Sequence, residues 1–439
     1  MQNKKKNLIL IELNELNFTF VKKYLDNSPS KNFVNFKKLQ KFKASSTVSE
    51  KNYANLEPWI QWVSAHTGKT FSEHKVFRLG DINKFSKNQI FEIIEKHGYK
   101  VGAISPINTK NNLSNPAYFI PDPWVETLAD NSWWSKNIAK AISQTVNDNS
   151  SSKITVKSAC ILLLAFFRFS QFKNYFIYFK LALRSLKHHW CKALFLDLFL
   201  SDLHKNYFLS CRPNFSVLFL NAGAHIQHHY FFNSKYAISK NRSNPEWYIK
   251  KKIDPFIDLL EVYDIILKDQ LDLACEKIVA TGLSQKPYDR LKYYYRLKNH
   301  KNFLNKINIQ FLSVHPRMTR DFLIEFESNE LASTAQNILK SIKVLNGGEK
   351  VFGEIDNRGK SLFVTLTFPN EIEKHTKISC NTISINLYDE VVFVAIKNGM
   401  HQGKGYSFYS KGIEKIMPKN KSHVKDIFST INQFFLKTI

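Results

Sequence analysis

Two short apolar runs, each breaking abruptly into a polar turn, do most to restrict what this chain can fold into. Leu8-Ile9-Leu10-Ile11 runs into Glu12-Leu13-Asn14-Glu15, and Val217-Leu218-Phe219-Leu220 runs into Asn221-Ala222-Gly223-Ala224-His225. Runs this short and this uniformly apolar fit strands covered on both faces, the situation of a parallel sheet packed between helices. The intervening stretches agree. Phe18–Leu25 and Phe33–Phe42 read as helical pieces, and Gln89–His97 reads as a helix stopped by Gly98. Val101–Ile104 and Lys277–Ala280 read as further buried strands, the latter ending in Thr281-Gly282. Asp254–Leu273 carries apolar residues at helical spacing, and Lys425–Leu436 reads as a closing helix. The alternation predicts an α/β fold with a mostly parallel central sheet flanked by helices. Ser341–Lys397 is expected to be strand-rich, with turns at Asn346-Gly347-Gly348 and Asn357-Arg358-Gly359.

With 439 residues the chain is long enough for a large core carrying an insertion. We read 1–150 as the first part of the core, 151–212 as a helical cap and 213–439 as the second part. The polar run Asn147–Ser152 and Pro213 mark the limits of the cap. Ser151–Arg212 carries ten Lys or Arg, two Asp and nine Phe. Its longest apolar run, Ala159–Phe167, is far short of the roughly 20 residues a membrane-spanning helix needs. Such a helix can pack its aromatics on the core or lie on an anionic membrane face, and both readings stay open. The formal net charge of the whole chain is +26, which favours anionic partners: phosphorylated substrates, an anionic membrane or nucleic acid. No nucleic-acid-binding motif accompanies the charge, so nucleic acid ranks last. Five scattered cysteines with no CxxC pair indicate neither a zinc knuckle nor a disulfide framework. The basic start is followed by only four apolar residues before Glu12, a strand and not a signal peptide. The expected location is cytoplasmic, with a peripheral seat at the inner membrane open to it.

The order of these segments resembles the alkaline phosphatase superfamily, and within it the type I phosphodiesterase/nucleotide pyrophosphatase branch. Five places carry the resemblance over about half the chain. Asn14 falls where that superfamily ends its first strand in a metal-binding Asp. Glu57-Pro58-Trp59-Ile60-Gln61-Trp62-Val63-Ser64-Ala65-His66-Thr67-Gly68, with His74 after it, is similar to the helix that opens on the nucleophile and ends in Thr-Gly. Asn221-Ala222-Gly223-Ala224-His225 resembles its Asp-x-x-x-His loop. Its Asp-His pair should fall at Gly282-Leu283, where neither group is present. Its final His resembles His401 in Asn398-Gly399-Met400-His401-Gln402-Gly403. Glu57 or Pro58 stands where the family has a nucleophile, and each Asn in place of Asp removes a negative charge from beside a dication. The resemblance therefore implies the fold, but without a standard two-zinc centre and with at most one divalent metal.

The expected catalytic residues are Glu57, His225 and His401, a carboxylate with imidazoles being sufficient for acid–base work. Expected substrate contacts are Asn14, Glu12, Asn221, His66 and Trp59. Expected metal ligands are His225, His229 and His401, since His225 and His229 have the i, i+4 spacing that puts two imidazoles on one helical face. Glu57 reads equally as a helix N-terminal carboxylate favoured by the dipole. Trp59 reads as core or as a stacking platform, and His228 as an exposed neighbour. The expected activity is that of a hydrolase or transferase acting on a phosphorylated, nucleotide-linked or lipid-linked sugar; its setting in bacterial cell-surface polysaccharide metabolism rests on the general character of the chain and on no motif. The rival expectation is a catalytically retired phosphatase fold serving as a binding or scaffold module.

Overall fold

A computed structural model describes residues 6–27, 32–147, 155–237, 242–317, 320–380 and 383–436. Its centre is an eight-stranded sheet. Four of its strands come from the first part of the chain: β1 (Leu8–Leu13), β2 (Lys43–Val48), β3 (Val101–Ile104) and β4 (Tyr118–Ile120). β5 (Phe215–Leu220) and β6 (Glu276–Ala280) follow the helical insertion. β7 (Ser284–Leu297) then leaves the sheet towards a second lobe. That lobe holds β8 (Ser313–Pro316), β9 (Asp321–Glu325), β10 (Lys343–Val344), β11 (Glu354–Asn357), β12 (Ser361–Thr365), β13 (Lys377–Cys380) and β14 (Ile383–Asn386). β15 (Val391–Gln402) returns antiparallel to β7, and β16 (Lys404–Tyr409) and β17 (Ser422–His423) complete the central sheet.

The central order is β17-β2-β16-β6-β1-β5-β3-β4. β6, β1, β5, β3 and β4 run parallel to their neighbours, and β16 enters antiparallel between β6 and β2. This is the fold class expected from the alternating pattern. All six residues of β1 and of β5 are buried, as strands with no polar face must be at the centre of a covered parallel sheet. The register pairs Leu13 with Leu220 and Glu12 with Ala280. The polar turns that follow β1, β5 and β6 therefore leave the sheet at one common edge, its carboxyl end, where open α/β sheets bind ligands.

Helices Pro58–Thr67, Ile90–Lys96 and Asp426–Leu436 cover one face through Trp62, Ala65, Phe91, Ile94 and Ile427. Pro255–Leu271 and the insertion cover the other through Leu194, Leu198, Leu259 and Ile266. The insertion is helical where described: Val156–Phe169, Tyr175–Ser185 and Trp190–Cys211. Its expected N-terminal limit falls at 148–154, outside the described residues. The strand-rich segment builds a core of its own, with Phe322, Leu362 and Val364 of one sheet against Leu339 and Ile378.

One insertion carboxylate ties the cap to the sheet edge. Asp197, buried, accepts from Tyr263 Oη at 2.7 Å, from the Ala222 amide at 2.7 Å and from the Asn221 amide at 3.2 Å. It thereby holds the first turn of helix Ala222–Tyr230. Burial pushes its carboxyl up to about 6, against the pull of those donors. Replacing Asp197 by Ala strands buried donors, so it should lower unfolding free energy by about 2–4 kcal/mol. A chemical denaturation midpoint that falls with an unchanged slope checks this.

Candidate active site

The carboxyl edge is first organised by two carboxamides. Asn14 follows β1 and Asn221 follows β5, and the parallel register sets them side by side: Asn14 Nδ2 donates to Asn221 Oδ1 at 2.8 Å. Trp62 Nε1 donates to Asn14 Oδ1 at 2.8 Å. The Asn14 amide is thus oriented from both ends and nearly unexposed.

The next residue takes the unusual conformation. Glu15 has φ 59°, the left-handed region, which costs an L residue roughly 1–2 kcal/mol. Its backbone is held there by an N–H to the Thr281 carbonyl at 3.0 Å and by Gln227 Nε2 donating to its own carbonyl at 2.9 Å. The result is a buried carboxylate aimed at two imidazoles. Glu15 Oε2 lies 3.1 Å from His401 Nε2 and 3.2 Å from His228 Nε2, and the two Nε2 atoms are 3.3 Å apart. Gln285 Nε2 donates to the same Oε2 at 2.6 Å and to the Ala224 carbonyl at 3.1 Å. Gln285 stands directly opposite His401 in the β7–β15 ribbon, so one structural unit supplies both a ligand and the group that orients another.

Burial by itself would raise the Glu15 carboxyl. The charges of His401 and His228, with their hydrogen bonds, overcome it and hold the carboxyl far below the usual carboxylate range. Burial opposes protonation of His401, but Glu15 and then Glu57 raise its pKa above the ordinary histidine value. Burial wins at His228, which is lowered despite Glu15. Of the two imidazoles, His401 is therefore the one whose protonated form Glu15 favours, and His228 the one that burial favours as neutral.

The donor set fits a divalent metal. Three tetrahedral ligands about 2.1 Å from an ion lie about 3.4 Å from one another, and the three edges observed are 3.1, 3.2 and 3.3 Å. A carboxylate with two imidazoles leaves a coordination position open, the pattern of catalytic rather than structural sites.

Beside the triad stands a second carboxylate, and further out along the ribbon lies a cationic wall. Glu57 precedes helix Pro58–Thr67 in extended backbone (φ −109°, ψ 138°) and makes no side-chain capping bond. Its Oε2 lies 3.7 Å from His401 Nδ1. Burial raises its pKa, His401 lowers it and Glu15 raises it further. Lys397 and Lys292 face each other across the ribbon, a like-charge pair that a ladder ordinarily avoids. Burial lowers both, with Arg320 adding to the effect, and takes Lys292 down to about 8. The Arg320 guanidinium sits 4.3 Å above the Tyr294 ring. These three half-buried cations give the edge a surface suited to phosphoryl oxygens.

The structure gathers Asn14, Asn221, Glu57 and His401 at this edge. Glu12 and His66 form a separate pair beneath it, with no exposed surface: His66 Nε2 lies 2.6 Å from Glu12 Oε1, and Thr109 Oγ1 lies 3.1 Å from His66 Nδ1. Trp59 is half-buried and donates through Nε1 to the Phe77 carbonyl at 2.9 Å. His225 and His229 share a helix with their rings 4.9 Å apart, and His229 Nδ1 is 3.1 Å from the Ile396 carbonyl. Burial lowers the pKa of both, to about 4 at His225. The imidazole that meets Glu15 and His401 is His228. Sequence reasoning singled out neither Glu15 nor His228 as a ligand, and missed Gln285 and the Lys292–Lys397 pair. The strand end that names Asn14 also exposes Glu15 one residue later. Helix periodicity alone does not say which of three histidines faces the sheet edge.

No family model matches the chain, and a search of curated proteins returns no match. Among solved structures, phosphonoacetate hydrolase from Sinorhizobium meliloti 1021 aligns over 98% of this chain and 96% of its own, at 10% identity and a TM-score of 0.46. Murine ectonucleotide pyrophosphatase/phosphodiesterase 5 aligns over 99% and 96%, at 8% identity and 0.41. Alkaline phosphatase from the Antarctic bacterium TAB5 aligns over 98% and 98%, at 10% identity and 0.39.

Two outcomes are expected. Protons compete with metal chiefly at His401, whose pKa is raised, and less at Glu15 and His228, whose pKa values are lowered. Affinity for Zn²⁺ or Mn²⁺ should climb about tenfold per pH unit up to the raised His401 pKa and level off above it. Calorimetric titration across that range reads the slope, and a flat profile would count against the triad. Separately, His66→Leu removes the partner of a buried carboxylate and should cost about 3–5 kcal/mol of stability, read by denaturant unfolding.

Proposed function

We propose that the chain is a metal-dependent enzyme of alkaline-phosphatase-like fold that hydrolyses or transfers a phosphoryl-linked group, with one divalent ion on Glu15, His228 and His401. The observation that carries this reading is the convergence of those three groups, from the turn after β1, helix Ala222–Tyr230 and the β7–β15 ribbon, beside Glu57, with Lys397 of the same ribbon within electrostatic reach. A divalent ion there would supply Lewis-acid polarisation of a phosphoryl oxygen. Lys397, Lys292 and Arg320 would bind the remaining anionic oxygens. Glu57 is the proton-handling group: burial raises its pKa above the usual carboxylate value, which favours a carboxyl able to give and take a proton, and its Oε2 lies 3.7 Å from His401 Nδ1. Asn14, its amide engaged by Trp62 and Asn221, positions the half-buried Asn221, which would bind through its neutral amide, and His225 is held nearby on the same helix as His228.

We extend the reading to a sugar substrate carrying a phosphate, nucleotide or lipid link, handled in bacterial cell-surface polysaccharide metabolism at the cytoplasmic face of the inner membrane. The cationic wall supports the phosphate, and the apolar surface of the insertion supports the lipid.

One observation favours a second reading. The helix that would open on a nucleophile opens on Glu57-Pro58, and Asn14 is occupied by Trp62 and Asn221. A retired fold acting as a binding module would look the same there.

Turnover on phosphomono- and diesters and on nucleotide-sugars, with Zn²⁺, Mn²⁺ or Mg²⁺ added, separates the two. The enzyme reading expects chelation to abolish turnover and Glu57→Gln to lower kcat about 10²–10⁴-fold, with metal binding retained. Metal bound at the triad without turnover of any ester would favour the binding module.

A further inference from the structure

Two of the three insertion helices present an apolar face that the core does not use. In Val156–Phe169 the buried positions are Ser158, Ile161, Ala165 and Phe169, and the opposite side exposes Leu163, Leu164 and Phe167. In Tyr175–Ser185 the buried positions are Tyr178 and Leu181, while Phe176, Phe179, Leu183 and the following Leu186 are exposed at helical spacing. Phe172, in the turn joining the two helices, is 85% exposed, and Phe176 is 74% exposed. Leu163, Phe167, Phe172, Phe176, Phe179 and Leu183 are six exposed large apolar side chains on two consecutive helices and the turn between them, a concentration that marks an interaction surface where singly scattered exposures do not.

The face is rigid. Arg184 makes two hydrogen bonds to Asp258, at 2.8 and 2.5 Å, and Trp190 Nε1 donates to the same carboxylate at 2.9 Å. Asp202 accepts from the Gln171 amide, Asn174 Nδ2 and Tyr178 Oη, each at 2.9 Å. Those ties also decide the charge of the surface. The two acids of the insertion, Asp197 and Asp202, are both buried, while Lys157, Arg168 and Lys187 are exposed. The exposed insertion is therefore apolar and cationic with no carboxylate of its own. Among the described residues no helix is long and apolar enough to cross a membrane.

We propose that this face docks the protein on an anionic lipid surface, with the Phe172–Phe179 segment entering the headgroup boundary and Arg168, Lys157 and Lys187 meeting lipid phosphates. Charge complementarity selects the occupant. A neutral apolar partner would leave those cations unmatched, whereas aromatic and basic residues side by side match an anionic bilayer surface. A second copy of this chain would bring like charge against like charge. The docking does not depend on the chemistry proposed for the sheet edge.

Sedimentation of the full chain with phosphatidylcholine vesicles, with and without phosphatidylglycerol, tests it. Binding is expected only to the anionic vesicles and should weaken with added salt. Phe172→Glu with Phe176→Glu should reduce it at least about tenfold, and Arg168→Glu with Lys187→Glu about fivefold per residue at minimum. Both pairs lie on the surface, and unchanged thermal unfolding with retained metal binding confirms that the variants fold. No binding of the native chain to anionic vesicles at low salt, equal binding to neutral ones, or native-like binding by the Phe pair overturns the proposal. So does a native dimer in light scattering that the Phe pair converts to a monomer, since a second copy would then cover the face.

Discussion

The parallel register of β1 against β5 and β6 is the constraint on which the rest depends. All six residues of β1 are buried and none can turn to water, so the strand must sit at the sheet centre with helices on both faces. Once Leu13 stands opposite Leu220, Asn14 and Asn221 have no choice but to leave at the same edge. The Asn14–Asn221 hydrogen bond, the left-handed turn at Glu15 and its backbone tie to Thr281 after β6 all follow from that alignment. A one-residue slip would reverse the facing of every side chain in β1 and dissolve the site.

Neutral carboxamides at the ends of β1 and β5 move the negative charge one residue along. Asn14 serves as a spacer between Trp62 and Asn221, and Glu15 becomes the carboxylate that faces the imidazoles. The strain of a left-handed glutamate is tolerable because Gln227 and Gln285 fix its backbone and its carboxylate. The same carboxylate meets both imidazoles, the nearly buried His401 and the half-buried His228. The ribbon of β7 and β15 has two jobs. It delivers His401 and Gln285 to the edge at its base, and Lys292 and Lys397 further out, before passing into the second lobe.

The insertion is divided between the core and the surface. Its aromatic content divides by helix face: Phe169 and Phe199 are buried in the main core, while Phe167, Phe172, Phe176 and Phe179 are not. Its acids face inward, where Asp197 holds the first turn of the helix that carries His228. Cap and site are therefore mechanically joined, and the cationic surface is what remains outside.

Local pattern alone determined the α/β class, the central strands at Leu8–Leu13 and Phe215–Leu220, the helical insertion and its charge, and the strand-rich segment in the last third. These follow from short-range periodicity and from burial on one or two faces, which a sequence carries residue by residue. Asn14, Asn221, Glu57 and His401 were legible as edge residues because each adjoins a strand end or opens a helix. The tertiary structure alone decided that Glu15 bends back to meet His228 and His401, that Glu12 and His66 pair out of reach of solvent, and that β7 and β15 form one ribbon. Each of these depends on backbone sign, helix rotation or pairing between segments far apart in the chain. None of them leaves a local periodic signal, so the side chains that share a charge or a ligand position become known only once the strands are in register.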